Sequence, residues 1–285
     1  MNVLQEARQS RRVGIVATGL LDSLLVLGGL LTISPFIWML VVSFGQSKEL
    51  LQMPPNWFPW PPYLASYQEA FHYVNFLVTG WNSLKVTCAI CAGQLFTCSL
   101  AAFAFARLRF PGREALFITL LSALMIPPQM TIIPVYVMLA KVDLIDTHTS
   151  LILPAFFSAT GTFLLRQFFL TMPQEMVDAA KIDGATYWTI YWRIFLPLGA
   201  AGISALAIFC FNFHWNELFR PLIFLNSVEK FTLPLALSYI NELYVNLIGV
   251  TYAAVAMAVI PVLIVFLMAQ RYLIEGITLT GLKEG

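Results

Sequence analysis

The chain has 285 residues, of which 59% are hydrophobic and only 11% charged. Soluble domains carry roughly 25% charged residues, so a water-soluble chain is excluded and a membrane protein is expected. The formal net charge of +1 is silent about partners, but the basic residues are scattered rather than grouped on one surface, which excludes a nucleic-acid-binding face.

A spanning helix needs about 20 apolar residues, because the hydrocarbon core is about 30 Å thick and each residue rises about 1.5 Å. Runs of that kind lie near 22–43, 80–106, 114–140, 149–170, 199–224 and 250–270, the fourth interrupted by Arg166 and several hydroxyl residues. The expected fold is therefore an all-α integral membrane protein with six transmembrane helices. Residues 1–19 form a cytoplasmic tail and 20–285 a single membrane domain. Arginines precede the first run, yet it reaches Ser43 without a small-residue cleavage site, so an uncleaved span is expected rather than a signal peptide.

The segment 45–79 follows. It is rich in Pro and aromatic residues between Pro54 and Pro62, which reads as a prolyl-stiffened cap with Trp57 and Trp60 anchored at headgroup level. A docking surface for an outer partner is the other reading. The second run carries Cys88, Cys91 and Cys98, and Cys210 lies in the fifth. With no acidic or His partner near the Cys88–Cys91 pair in sequence, these thiols read as packing residues, and no metal site is expected.

In the third run Pro127, Pro128 and Pro134 remove amide donors in mid-membrane, and each crowds the carbonyl four residues back. Such breaks face protein or a cavity. Gln129 and Thr131 either line a route there or sit beside a kink that only shapes packing. The fifth run holds Asn212, His214, Asn216, Glu217 and Arg220. Four-residue spacing puts Asn212, Asn216 and Arg220 on one helical face, and Glu217 can pair with Arg220 three residues on. This polarity marks a watery pathway or interhelical hydrogen bonding, with His214 a packing or hydrogen-bonding residue.

Between the fourth and fifth runs lies a charged insert, 172–197. It divides into two helical stretches around Gly184, a residue suited to backbone conformations that others resist. The first stretch, 174–183, follows Pro173 and places Glu175 and Asp178 in its early turns, where carboxylates suit the positive helix end. In the second, Tyr187, Ile190, Tyr191 and Ile194 form one apolar face, and Pro197 leads into the fifth run. Such a pair either lies on the lipid surface or plugs into a cytosolic partner, and its acids disfavour anionic headgroups.

Loop charge orients the chain. With the N-terminus inside, Arg8, Arg11, Arg12, Arg107, Arg109, Arg113, Arg166, Lys181, Arg193, Arg271 and Lys283 are cytoplasmic, and only Lys48, Lys141 and Lys230 lie in outer loops. Lys85 and Arg220 fall near outer helix ends, where they can snorkel. Both termini and the insert are then cytoplasmic. There is no internal repeat, such as a secondary carrier is expected to show, and a passive scaffold leaves the insert unexplained.

The insert resembles the EAA loop of permease subunits from bacterial ATP-binding-cassette importers, carried here by Asp178-Ala179-Ala180, Gly184 and the run to Pro197. The surroundings resemble the maltose-type carbohydrate permeases. The similar stretches are 100–107 with Phe110-Pro111-Gly112-Arg113, Ile126-Pro127-Pro128-Gln129, 163–169, Trp215-Asn216-Glu217 with Pro221-Leu222, and 281–285. One departure is Asp178, which stands where the family usually has Glu. The resemblance implies that Glu175, Asp178, Ala179, Ala180, Asp183, Gly184, Ala185 and Pro197 belong to a coupling loop. Asp178 would pair with a basic residue of a cytosolic ATPase, while Ala179, Ala180 and Gly184 let the loop seat in a groove. It also implies a second homologous permease, two ATPase subunits and an extracytoplasmic solute-binding protein. The chain has no G-x-x-x-x-G-K-[ST] phosphate loop, so ATP and Mg belong to the partner ATPases, and this chain has no cofactor or catalytic residue of its own. Gln129, Thr131, Asn212, Asn216, Glu217 and Arg220 are candidates for the solute path. The solute is expected to be a sugar or oligosaccharide, with a polyamine or glycerol phosphate as the alternative.

Overall fold

A computed structural model describes residues 2–54, 56, 58–243 and 247–281, and the side chains of 21–54, 56, 58–240 and 247–268. The side chains of Arg8, Arg11, Arg12, Trp57, Arg271 and Lys283, and the 281–285 motif beyond its first residue, lie outside the described residues.

Every regular element among the described residues is helical, in keeping with apolar runs that must close their backbone hydrogen bonds internally. Helix α1 (Asn2–Ser43) is followed by α2 (Ser47–Leu50), α3 (Ala65–Tyr73) and the long α4 (Phe76–Arg107). Next come α5 (Arg113–Ser122) with a 3-10 turn Ala123–Met125, α6 (Pro128–Ala140), and α7 (His148–Ile152) with a 3-10 turn Leu153–Ala155 leading to α8 (Ala159–Leu170). The insert contains α9 (Glu175–Ile182), α10 (Tyr187–Ile190), a π-helical turn Tyr191–Phe195 and α11 (Leu196–Leu198). The chain continues as α12 (Ala200–Trp215), α13 (Phe219–Phe224), a 3-10 turn Val228–Lys230, α14 (Leu233–Leu243) and α15 (Ile248–Gly281).

Among the described residues, four stretches are long and apolar enough to cross a bilayer: Leu21–Ser43, Phe76–Arg107, His148–Leu170 and Ile248–Met268. Two further pairs pass jointly but are bent, Arg113–Met125 with Pro128–Ala140 by 99° and Tyr187–Leu198 with Ala200–Trp215 by 74°. The number of spans is six if each bent pair counts as one. The first bend falls at Pro127 and Pro128, whereas Pro134 lies within α6 and does not break it. Ile126 and Pro127 both precede a proline and adopt extended ψ values of 115° and 135°, and Pro128 then opens α6.

The run 199–224 is not one helix. It stops at Trp215, because a continued helix would drive the Pro221 ring against the Glu217 carbonyl. Pro221 instead sits in the first turn of α13, where its missing N–H costs nothing. The predicted face of Asn212, Asn216 and Arg220 is therefore cut at Asn216. Arg166, the charge interrupting the fourth run, is held on the Phe117 ring at 4.0 Å and reaches Glu114 at 3.2 Å.

The chain divides into two compact units. One comprises Met1–His72 and Tyr244–Met257. Within it Ser43 bonds the Tyr67 hydroxyl at 2.7 Å, Ser66 donates to Gly45 O at 3.2 Å, and the Gly249 amide reaches Ser47 Oγ at 3.1 Å. Trp60, expected as an anchor, is 86% exposed.

The other unit comprises Tyr73–Leu243 and Ala258–Gly285, and α4 runs through both of its apolar clusters. In one, Val86, Ile90 and Cys91 of α4 meet Leu151, Cys210, Trp215 and Phe224. In the other, Cys98, Ala102 and Phe103 meet Leu165 and Phe169 of α8 and the apolar side of the insert. Backbones approach closely where Gly202 lies under the Phe168 ring: an added Cβ would sit 2.7 Å from its Cγ. The thiols serve as packing groups there, Cys91 lying against Cys210 and Cys98 donating to Ser158 O at 3.3 Å.

A carboxylate clasp joins two loops at one end of this unit. Asp146 accepts from the amides of Asn226 and Ser227, both at 2.9 Å, from the Ser227 hydroxyl, and from Lys230 at 2.9 Å. The Ser227 hydroxyl, the two amides and Lys230 together hold its carboxyl well below the usual range. A folded pKa below the unfolded value of about 3.9 stabilises fully above about pH 4 and is lost as pH falls further. Thermal melts taken from neutral pH to about pH 3 are expected to show a steeper acid loss in the wild type than in Asp146→Asn, which starts less stable at pH 7.

Candidate functional site

The insert is built from its turn outward. Helix α9 ends in a Schellman motif: the Gly184 amide bonds Lys181 O at 3.0 Å and the Ala185 amide bonds Ala180 O at 2.9 Å. Gly184 has a φ of +80°, and nothing would touch an added Cβ, so backbone conformation rather than space selects glycine. Thr186 then caps α10, accepting from the Thr189 amide at 3.2 Å.

The buried side overlaps the predicted one without matching it. Ile190, Tyr191 and Phe195 face the core, whereas Ile194 is only partly buried and Tyr187 is exposed. The π turn is the cause: its wider winding brings Ile190 and Phe195, five residues apart, to the same side. Tyr187 instead receives Lys181, whose ammonium bonds its hydroxyl and lies 4.2 Å from its ring centroid. Phe195 stands edge-on to Phe169 at 5.5 Å and Phe103 at 5.0 Å, and the Tyr191 hydroxyl bonds Ser99 at 2.8 Å. From α9, Val177 enters the same cluster, fully buried.

The insert is bolted to the last residue of α4. Arg107, only 8% exposed, donates to Phe169 O and Met172 O at 2.5 Å each and to Gln174 Oε1 at 2.8 Å. Its guanidinium also lies 5.3 Å from the Phe195 ring centroid. The other end of the Gln174 amide donates to Asp178 Oδ1 at 3.3 Å. A chain of contacts thus runs from α4 through Arg107 and Gln174 to Asp178. In the sequence Arg107 stands only as a cytoplasmic cation at the end of the 100–107 stretch, and the four-residue spacing from Gln174 to Asp178 is the one local signal that could have pointed to this contact.

The outward side of the insert carries the remaining predicted residues. Glu175, Asp178, Ala179, Asp183 and Gly184 are exposed, Ala180 and Ala185 are partly buried, and Pro197 is exposed in α11. Beside them Ile182 is 86% exposed, an apolar knob among acids.

The path candidates fall into three groups. Glu217 is gripped by the Arg220 guanidinium at both carboxylate oxygens and bonded by His214 Nδ1 at 3.1 Å. Two donors approach the histidine: the Gln94 amide nitrogen, which also donates to Ala155 O at 2.8 Å, lies 3.1 Å from His214 Nε2, and Arg220 Nη2 lies 3.0 Å from His214 Nδ1. Asn212 and Asn216 form a second, exposed pair, Asn216 Nδ2 lying 3.2 Å from Asn212 Oδ1. Gln129 and Thr131 are exposed on α6, and among the described residues they share no hydrogen bond or ion pair with either group.

Residues 96–278 match the family described as binding-protein-dependent transport system inner membrane component. The chain is 32% identical over 259 residues to the arabinooligosaccharides transport system permease protein AraQ of Halalkalibacterium halodurans, covering 89% of this chain and 92% of that protein. It is also 32% identical over 266 residues to the sn-glycerol-3-phosphate transport system permease protein UgpE of Brucella abortus, covering 90% and 94% respectively. The fold is similar to a chain of a bacterial ABC transporter involved in the import of the acidic polysaccharide alginate. That likeness has a TM-score of 0.77 over 93% of this chain and 98% of the other, at 22% identity.

Replacing Arg107 with Met strips donors from three acceptors and is expected to cost about 3 kcal/mol. Arg107→Lys keeps the charge but loses the fork, so it should recover only part of that loss. Thermal melts of the purified protein, together with the rate of tryptic cleavage at Lys181, measure both effects.

Proposed function

This chain belongs to the family of binding-protein-dependent transport system inner membrane components, and from that premise we propose that the insert 172–197 is its coupling loop to a cytosolic ATPase. The chain is a permease subunit of an ATP-binding-cassette importer, and the family's ATPase is a separate subunit. With each bent pair counted as one crossing, the proposed arrangement is six spans with both termini cytoplasmic. The distribution of charge supports this orientation. Arg107, Arg109, Arg113, Arg166, Lys181 and Arg193 belong to the end of α4 that carries the insert, while Lys230 lies with the Asn82 end, where Asn82 bonds Glu229 O at 2.9 Å.

The observation that carries the coupling role is the Arg107–Gln174–Asp178 chain of contacts. Asp178 and Ile182 face outward, suited to a basic residue and an apolar groove, and Glu175, Ala179 and Asp183 share that exposed surface. Ala180, Gly184 and Ala185 make the tight turn beneath it, and Pro197 marks where the insert passes toward α12. Because Val177, Ile190, Tyr191 and Phe195 are buried against α4 and α8, a displacement of α9 carries those helices with it. Nucleotide-driven closure of two ATPase subunits, which hold ATP and Mg, would then shift the permease between inward- and outward-open states. This chain itself binds no cofactor. A second homologous permease and an extracytoplasmic solute-binding protein complete the proposed assembly.

The solute is a sugar or oligosaccharide in the reading best supported. Asn212 and Asn216 expose amides beside exposed Phe209 and Phe213, and α12 contains no Lys or Arg. Neutral amides and rings suit hydroxyl-rich solutes, and Gln129 and Thr131 extend that chemistry on α6. Glu217 and Arg220 satisfy each other and flank the path. A glycerol-phosphate importer is the second reading, favoured by the UgpE relative.

Asp178→Lys is expected to weaken association with the ATPase roughly tenfold or more and to uncouple ATP-dependent uptake, with membrane insertion intact. Unchanged uptake would remove Asp178 from the coupling role. Solute-stimulated ATP hydrolysis by the whole complex with its binding protein separates the substrates. Stimulation by an oligosaccharide is expected, and stimulation by sn-glycerol-3-phosphate alone selects the second reading.

A further inference from the structure

Beside the Glu217–Arg220 pair, two buried hydroxyls are left over by the protein's own hydrogen bonding. Thr87 on α4 and Thr232 just before α14 are 1% and 5% exposed. Neither Oγ1 has a hydrogen-bond partner among the described residues. The contrast with other residues of α4 is informative: Thr79 donates to Asn75 O at 3.0 Å and Thr97 to Gly93 O at 2.9 Å, the usual helical back-bond. Thr87 forgoes that bond, and its side chain lines a small cavity together with Thr232, Ser83, His214 and Glu217.

We propose that this cavity is a binding site for one water molecule, which bridges the Thr87 and Thr232 hydroxyls to the Glu217 carboxylate. The space available to the centre of a water-sized sphere is about 10 Å³, and a single buried water needs about 10–15 Å³. A buried water also needs two to four polar partners. Here the two threonine hydroxyls and Glu217 supply three. Ser83, whose oxygen already accepts from the Leu233 amide at 2.7 Å, retains its own proton to donate. A cation is disfavoured, because Arg220 already grips both oxygens of the carboxylate it would need. A dry cavity would leave two buried hydroxyls unsatisfied, which apolar surroundings penalise. The bridging water ties α4, the segment before α14 and the α12–α13 break into one polar unit, so the irregular backbone at the break rests on α4.

The experiment uses isosteric substitution in the full-length protein within its assembled complex. Thr87→Val and Thr232→Val each lower the melting temperature if a water is held, and the double variant falls by less than the sum because both act on one molecule. Thr87→Ser, which keeps the hydroxyl, stays close to wild type. Unchanged or raised melting in Thr87→Val overturns the proposal, since a methyl is then at least as good as the hydroxyl in a dry site. A wild-type melting temperature that rises with sodium or potassium against choline at constant ionic strength also overturns it, in favour of a cation.

Discussion

The Arg107 guanidinium is the contact on which the rest of the site depends. A cation at the end of a long apolar helix cannot be left unsolvated, and the carbonyls closing α8 have no further helical turn to donate to them. Each need answers the other: the guanidinium Nη2 donates to both Phe169 O and Met172 O, and the positive charge sits at the negative end of α8. A further donor, Nη1, goes to Gln174 at the start of α9. The chain reversal between α8 and α9 is thereby fixed, and with it the orientation of Asp178.

The same logic repeats along α4. Four more of its buried polar side chains meet a stretch of chain that leaves regular helix. Asn82 reaches Glu229 O and Phe231 O at 2.9 and 3.1 Å. Ser83 caps the Leu233 amide, Gln94 takes Ala155 O beside the break before α8, and Ser99 meets Tyr191 in the π turn. In an apolar medium irregular backbone persists only where a protein group satisfies it. Helix α4 is that group's scaffold, and both apolar clusters of its unit pack around it.

This division explains what could be read from the sequence. The apolar runs, the bend at Pro127 and Pro128, the insert and its turn at Gly184 all follow from local chemistry, and they stand where that chemistry places them. The end of α12 was misread because hydrophobicity continues to Phe224, although Pro221 and the carbonyl of Glu217 could have marked the break. The π turn had no such marker: Tyr187 to Ile194 fits an ordinary helical face equally well, and only packing against Phe103 and Phe169 selects Phe195. Arg107 looked like one more cytoplasmic cation. Its role depends on two carbonyls more than sixty residues away in the chain, which no local pattern contains.

Rigidity of the insert against α4 is the physical core of the coupling scheme, and it can be measured as a distance. Spin labels at Ile182 on α9 and Phe96 on α4, both exposed, would be introduced in a background whose native cysteines are replaced, within the importer assembled with its ATPases. Pulsed dipolar spectroscopy then reports their separation with and without ATP. The expected result is one narrow distance that stays the same in both states, because α9 and α4 move as one body. A separation that shifts or broadens when ATP binds would contradict the account, since the insert would then slide on α4 instead of carrying it.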